Sequence, residues 1–175
     1  MLKINAFNQP DVQAVKDKTK ARLLMAESRK VLSVKVSSEP FYSFWKAVKP
    51  GDYISILAFL PDRKPLREKL VELQRSLRDR THAAVTIGIG PRYLHSTGQL
   101  HKGGPNTGLF LMITSQAVEG LPIPGEKFSF ADLELAQAIG DLEALEAKGR
   151  RAFHVRLDSP TPEALETLIA EMRKN

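Results

Sequence analysis

Apolar positions along the chain alternate between helical spacing of three or four residues and short continuous or alternating runs. Pro10 stands where a first helical turn tolerates proline. Val12, Val15 and Thr19 follow at helical spacing, which predicts a helix to about Arg29. The run Val31–Val36 (VLSVKV) alternates like a strand, and Phe41–Val48 reads as a short helix packing Phe41, Phe44 and Trp45. Asp52–Leu60 is nearly continuous in apolar residues, as expected of a strand covered on both faces. Asp62 is positioned to cap a helix whose stripe is Leu66, Leu70, Leu73 and Leu77. Ala83–Gly90 is a second buried strand, and a glycine-rich stretch, Pro91–Gly108, follows it. Leu109–Thr114 reads as a further strand. A proline-rich loop then leads to a helix with Phe130, Leu133, Ile139, Leu142 and Leu145 inward. Ala152–Leu157 alternates as an edge strand, and Pro162 opens a last amphipathic helix carrying Leu165, Leu168, Ile169 and Met172.

Strands separated by helices imply right-handed crossovers and a sheet covered on both sides. The expectation is a single α/β domain over residues 1–175, with three layers and a mostly parallel five-stranded sheet. Residues 1–29 form its N-terminal helical segment. Ligands of such sheets lie beyond the carboxyl ends of the strands, which directs interest to residues 91–108.

Composition narrows the classes. A chain that is 42% hydrophobic and 26% charged is globular. It has no cysteine, which excludes disulfides and thiolate chemistry and fits a reducing cytoplasm. No apolar run approaches the ~20 residues needed to span a bilayer. The net charge of +6 does not point to nucleic acid, because the basic residues are interspersed with acids and form no block interleaved with aromatics. A mild positive balance suits a small anionic substrate such as a sugar phosphate.

Candidate chemistry concentrates in Gly90–Gly108, which holds His95 and His101 of the four histidines, together with Arg92, Lys102, Ser96, Thr97, Gln99, Asn106 and five glycines. Glycines let backbone approach a ligand, and histidine exchanges protons near neutral pH. The competing reading is a surface loop whose histidines only bond backbone. His95 and His101 are six apart with no acid or cysteine nearby to complete a metal site. No G-x-S-x-G elbow, phosphate-binding G-x-x-x-x-G-K-[ST] or G-x-G-x-x-G pattern occurs.

The stretch Phe7–Lys16 (FNQPDVQAVK) carries Phe7, Gln9, Val12 and Lys16 at the spacing of a glucose-6-phosphate isomerase signature, F-D-Q-x-x-V-E-x-x-K, with Asn8 and Gln13 in place of two acids. His95, Ser96 and Gln99 match a second segment of that family, H-[SA]-x-x-Q. The run from Gly90 to Leu157 resembles the tail of fused transaldolase/glucose-6-phosphate isomerases, so the likeness covers nearly the whole chain. The resemblance implies interconversion of glucose 6-phosphate and fructose 6-phosphate without metal or organic cofactor. It implies that His95 opens the sugar ring and Lys16 supplies positive charge near the ring and C1 oxygens. Gln9, Gln99 and Ser96 would orient the sugar, while His101 and Lys102 would be supporting residues with roles left open. Sites of this family are shared between subunits, so a homodimer is one expected assembly.

The chain also departs from the family. The lysine motif precedes the histidine motif, which suggests a permuted strand order. The E-S-x-G-K motif with the proton-abstracting glutamate, the phosphate-gripping Ser/Thr loop and the enediolate arginine are missing. Glu39, in a turn-like S-S-E-P, matches none of them. The expected protein is therefore a C-terminal catalytic segment, inactive alone, that works with an N-terminal isomerase/transaldolase portion in cis or in trans. The start Met1-Leu2-Lys3 fits an excised or split boundary. The alternatives are a subunit of a split isomerase and a non-catalytic sugar-phosphate-binding or assembly module.

Overall fold

A computed structural model describes residues 8–26, 41–116 and 120–174. Its elements run α1 (Pro10–Ala26), α2 (Phe41–Lys46), β1 (Tyr53–Ala58), α3 (Lys64–Thr81), β2 (Ala84–Ile89), a 3-10 turn (Arg92–Leu94), α4 (Ser96–Gly103), β3 (Gly108–Ser115), α5 (Phe130–Ala147), β4 (Arg151–Leu157) and α6 (Pro162–Lys174). The strands form one sheet in the order β2-β1-β3-β4 with every pair parallel. The fold is α/β with helices on both sides. Among the described residues the sheet has four strands, not five, because the expected strand Val31–Val36 lies outside them. No helix among the described residues is long and apolar enough to cross a membrane.

Residue alternation within each strand divides the core. Ile54, Ile56 and Ala58 of β1 and Leu109, Leu111 and Ile113 of β3 face α2, α3 and α6, where they meet Trp45, Leu66, Leu70, Leu73, Leu77, Leu165 and Ile169. Leu57, Phe110 and Met112 point the other way, onto Tyr93, Leu94 and the α5 residues Ala138, Leu142 and Leu145. Both faces of β1 and β3 are therefore covered, as their continuous apolar runs require. Burying a leucine such as Leu73 or Leu111, each 0% exposed, contributes about 1.5–3 kcal/mol.

Four local expectations are corrected. β2 is only partly buried rather than a buried strand, and Phe130, expected to face inward, is 50% exposed at the start of α5. Asp62 does not cap α3: Arg63 occupies the cap position without a side-chain bond, and the Asp62 carboxylate instead accepts hydrogen bonds from Arg67 and Arg92. These two guanidinium groups hold it down to about 2 despite its exposure. The stretch 91–108 is not one loop at the carboxyl edge of the sheet. Only its first residues lie beyond the end of β2, and α4 then runs back about 12 Å, at 1.5 Å per residue. The chain reaches Gly108 beside Tyr53, at the amino end of β1. Tyr53 N–H donates to the Thr107 carbonyl at 3.0 Å, which fixes this return.

Candidate functional site

α1 lies across α4 and α5, and its attachment is largely polar. Its sequence has almost no apolar stripe, and among its described side chains Asp11, Val15 and Thr19 are buried. Asp11, 5% exposed, anchors the first turn: its backbone N–H donates to Gln99 Oε1 at 3.1 Å, Gln99 Nε2 donates to Asp11 Oδ2 at 2.7 Å, and Lys148 Nζ meets Asp11 Oδ1 at 2.9 Å. Burial raises the Asp11 pKa, but the bonds from Lys148 and Gln99 outweigh it and hold the carboxyl below the usual carboxylate range. Farther along, Arg22 pairs with Glu143 of α5. Gly140 lets the helices meet closely, since a Cβ there would lie 3.0 Å from Thr19 Oγ1 and 3.3 Å from the Val15 carbonyl oxygen.

This docking leaves a pocket of about 400 Å³ between α1, the 3-10 turn and α5. Val15, Thr19, Leu23, Pro91 and Leu94 make its mainly apolar floor, and Lys16, Lys20, Arg92, His95 and Gln137 complete the lining. The basic side chains stand at the rim, with Lys16, Lys20 and His95 exposed. No carboxylate lines it among the described residues, and neither Lys16 nor Lys20 has an ion pair among them. The field inside favours an anion, and the imidazole of His95 can move a proton there. Nothing in the described lining can act as a carboxylate base.

The other sequence candidates are placed differently. Gln99 is committed to Asp11 and holds α1 on α4 rather than facing the pocket. Gln9 contributes its carbonyl, which accepts from Val12 N–H at 3.1 Å and Gln13 N–H at 3.3 Å at the start of α1, and its side chain is not in the lining. Ser96 is exposed at the first position of α4. Glu39 lies outside the described residues.

His101 and Lys102 are buried, at 3% and 1% exposed. His101 sits in an aromatic box, 4.9 Å from the ring of Phe110, 6.1 Å from Tyr93 and 6.3 Å from Tyr53 between centroids. Its Nδ1 has no hydrogen-bond partner among the described residues. Burial, helped by the neighbouring Lys102 charge, lowers its pKa to about 4, so the ring is neutral at pH 7. Lys102 Nζ forms an ion pair with Asp141 Oδ1 at 2.5 Å and donates to the Gly98 carbonyl at 3.1 Å. Tyr93 Oη donates to Asp141 Oδ2 at 2.7 Å. Burial first, then the Asp141 charge, push the phenol well above its ordinary range and keep it a donor. Removing one partner of such a buried pair costs about 3–5 kcal/mol. At the far end of α4, Arg150 donates to the carbonyls of Lys102 and Gly104.

Asp141 belongs to neither motif, although a carboxylate between Ile139 and Leu142 on the inward face of an apolar helix is a readable sign of a buried partner. Lys20 and Gln137 also line the pocket without belonging to either motif, and only the helical spacing from Lys16 signals Lys20.

No family model matches the chain, and no curated protein matches it by sequence. Among solved structures it is similar to the hypothetical protein TT0462 from Thermus thermophilus, with a TM-score of 0.49 and 21% identity over 68% of this chain. The chain spans 33% of the length of that protein.

Proposed function

We propose that this chain supplies the histidine- and lysine-bearing part of a glucose-6-phosphate isomerase site and does not complete that site alone. The observation that carries this reading is the meeting of Lys16 and His95, from two motifs 79 residues apart, on one basic-rimmed pocket. The residues of the pocket suit two of the reaction's needs. His95 is exposed and able to transfer a proton at the ring oxygen during ring opening. Lys16 supplies positive charge that offsets charge developing on the sugar oxygens, and Lys20 adds to the same field, while the Arg92 charge is already shared with Asp62. The third need, a base that shifts a proton between C2 and C1, requires a carboxylate that the described lining lacks. General-base catalysis is worth roughly 10²–10⁴-fold, so the chain alone turns sugar phosphate over negligibly.

The missing carboxylate also favours a second reading, a sugar-phosphate-binding module without catalysis. The two are separated by titrating glucose 6-phosphate and glucose into the chain by calorimetry, then assaying isomerisation with and without the missing half in trans. The isomerase reading expects phosphate-dependent binding, activity only on reconstitution, and loss of that activity in Lys16→Ala and His95→Ala. Binding without activity on reconstitution favours the module. Absence of phosphate-dependent binding sinks both.

A further inference from the structure

His95 occupies the junction between the 3-10 turn and α4, with φ −78° and ψ −123°. Its side chain is exposed and makes no capping hydrogen bond that would hold it at the start of α4. What holds the junction lies on either side of it. Two residues earlier, Tyr93 is tied to Asp141 Oδ2 at 2.7 Å, and seven residues later Lys102 is tied to Asp141 Oδ1 at 2.5 Å. Tyr93 is 6% exposed, Lys102 1% and Asp141 0%. A single carboxylate on α5 thus clamps both flanks of the segment that presents the imidazole. The same helix places Gln137, one turn before Asp141, in the pocket lining, and its Gly140 admits the α1 turn from which Lys16 projects.

We infer that Asp141 is a positioning residue for His95: through Tyr93 and Lys102 it sets where the imidazole stands relative to Lys16 across the pocket. The inference rests on the proposed role of His95, but its geometric content does not. A network needed only for folding is replaceable by apolar groups of similar volume, because a buried ion pair exchanged as a pair is often neutral or stabilising. A positioning network is not replaceable in that way, since a displacement of about 1 Å of a reacting group costs about 10²-fold in rate.

The test uses the 175-residue chain, with the His95 ring signal assigned by its loss in His95→Ala and followed by NMR, and with glucose 6-phosphate as the probe. The double variant Lys102→Met/Asp141→Leu removes both charges together but leaves the Tyr93 hydroxyl and the Gly98 carbonyl without their partners, and is expected to melt within about 10 °C of the unaltered chain. Its His95 ring signal should shift or broaden, and its affinity for glucose 6-phosphate should fall about 10-fold. Tyr93→Phe, which deletes only one hydroxyl, should move the same signal and weaken binding about threefold, for the same reason. A folded double variant with unchanged His95 signal and affinity overturns the inference. If the double variant does not fold, Tyr93→Phe decides alone, and an unmoved His95 signal in it is equally fatal. If the unaltered chain does not bind glucose 6-phosphate, the proposed function falls, while the His95 signal in the two variants still judges the positioning role.

Discussion

The neutral imidazole of His101 makes stability depend on pH between about 4 and 6.5, a window that Glu134, raised by its burial, shares. In the unfolded chain it ionises at its ordinary value of 6.5, whereas in the folded chain burial and the Lys102 charge lower that to about 4. Between these values the unfolded state binds a proton that the folded state excludes, so stability is full above 6.5 and is lost as pH falls toward 4. Each pH unit between the two ionisations is worth about 1.36 kcal/mol, so the loss between pH 7 and pH 5 is about 2 kcal/mol. The titratable groups around the ring are Tyr53 and Tyr93, whose raised pKa values keep them neutral there, and the neighbouring Lys102. The carboxyls held low, Asp11, Asp52 and Asp62, titrate below this window. His101→Phe isolates the effect, because the box is aromatic and the unpartnered Nδ1 gives up no hydrogen bond. Urea unfolding followed by circular dichroism at pH 7, 6 and 5 should show the wild type losing about 2 kcal/mol more than the variant. Parallel slopes for the two proteins would refute the reasoning and mean that the imidazole is protonated, or hydrated, in the fold.

Three further outcomes are expected. Gly140→Val forces a side chain against Thr19 and the Val15 carbonyl, and thermal melting should report a loss of about 1–3 kcal/mol together with weaker glucose 6-phosphate binding, because α1 is pushed off α5. Gln99→Ala removes two bonds that hold the first turn of α1, one of them to a charged group, and should cost about 1–3 kcal/mol, with faster hydrogen exchange at α1 amides than at β1 or β3. Asp11 has a lowered folded pKa, so its contribution is present above its unfolded value of 3.8 and is lost as pH falls through the folded one; Asp11→Asn should flatten the acid limb of the unfolding curve below about pH 4.

The elements legible in the sequence are those whose period is strong over many residues. The leucine stripe of α3 and the continuous runs of β1 and β3 leave no competing assignment, and the alternation in Ala152–Leu157 marks a strand that sits at the sheet edge among the described residues. α4 reads as loop because Gly98, Gly103 and Gly104 break the helical pattern and only eight residues carry it. Its inward side is filled by Gly98, His101 and Lys102, which resemble loop chemistry until Asp141 and the aromatic box are brought against them. Gln99 does have a specific partner, but that partner is Asp11 of the same chain, 88 residues away, and no local pattern announces so distant a bond. Asp62 fails as a cap for a similar reason, since two arginines compete for its oxygens.

The way α1 is attached ties ligand binding to the order of this helix. Its described contacts include a buried carboxylate bridged to Gln99 and Lys148, an ion pair to Glu143 and a close approach at Gly140, with Val15 as its buried apolar side chain among the described residues. Polar attachments of this kind open more readily than the sheet, whose central strands are almost fully buried. The pocket lies along that seam, with Lys16 and Lys20 on α1 and Arg92 and His95 on the turn after β2. An anion held by both sides binds the docked helix and not the undocked one. By linkage it stabilises docking by RT ln(1 + [L]/Kd), about 2.7 kcal/mol at a roughly hundredfold excess over Kd. Hydrogen exchange should therefore slow at α1 amides on adding glucose 6-phosphate, by up to about 100-fold at that excess, while β1 and β3 amides change far less. Added salt should weaken the effect, because the lysines at the rim are exposed and screened. Protection rising equally across the sheet and α1 would place the ligand elsewhere on the fold, and absence of any protection at saturating ligand would mean that α1 is not part of the binding surface.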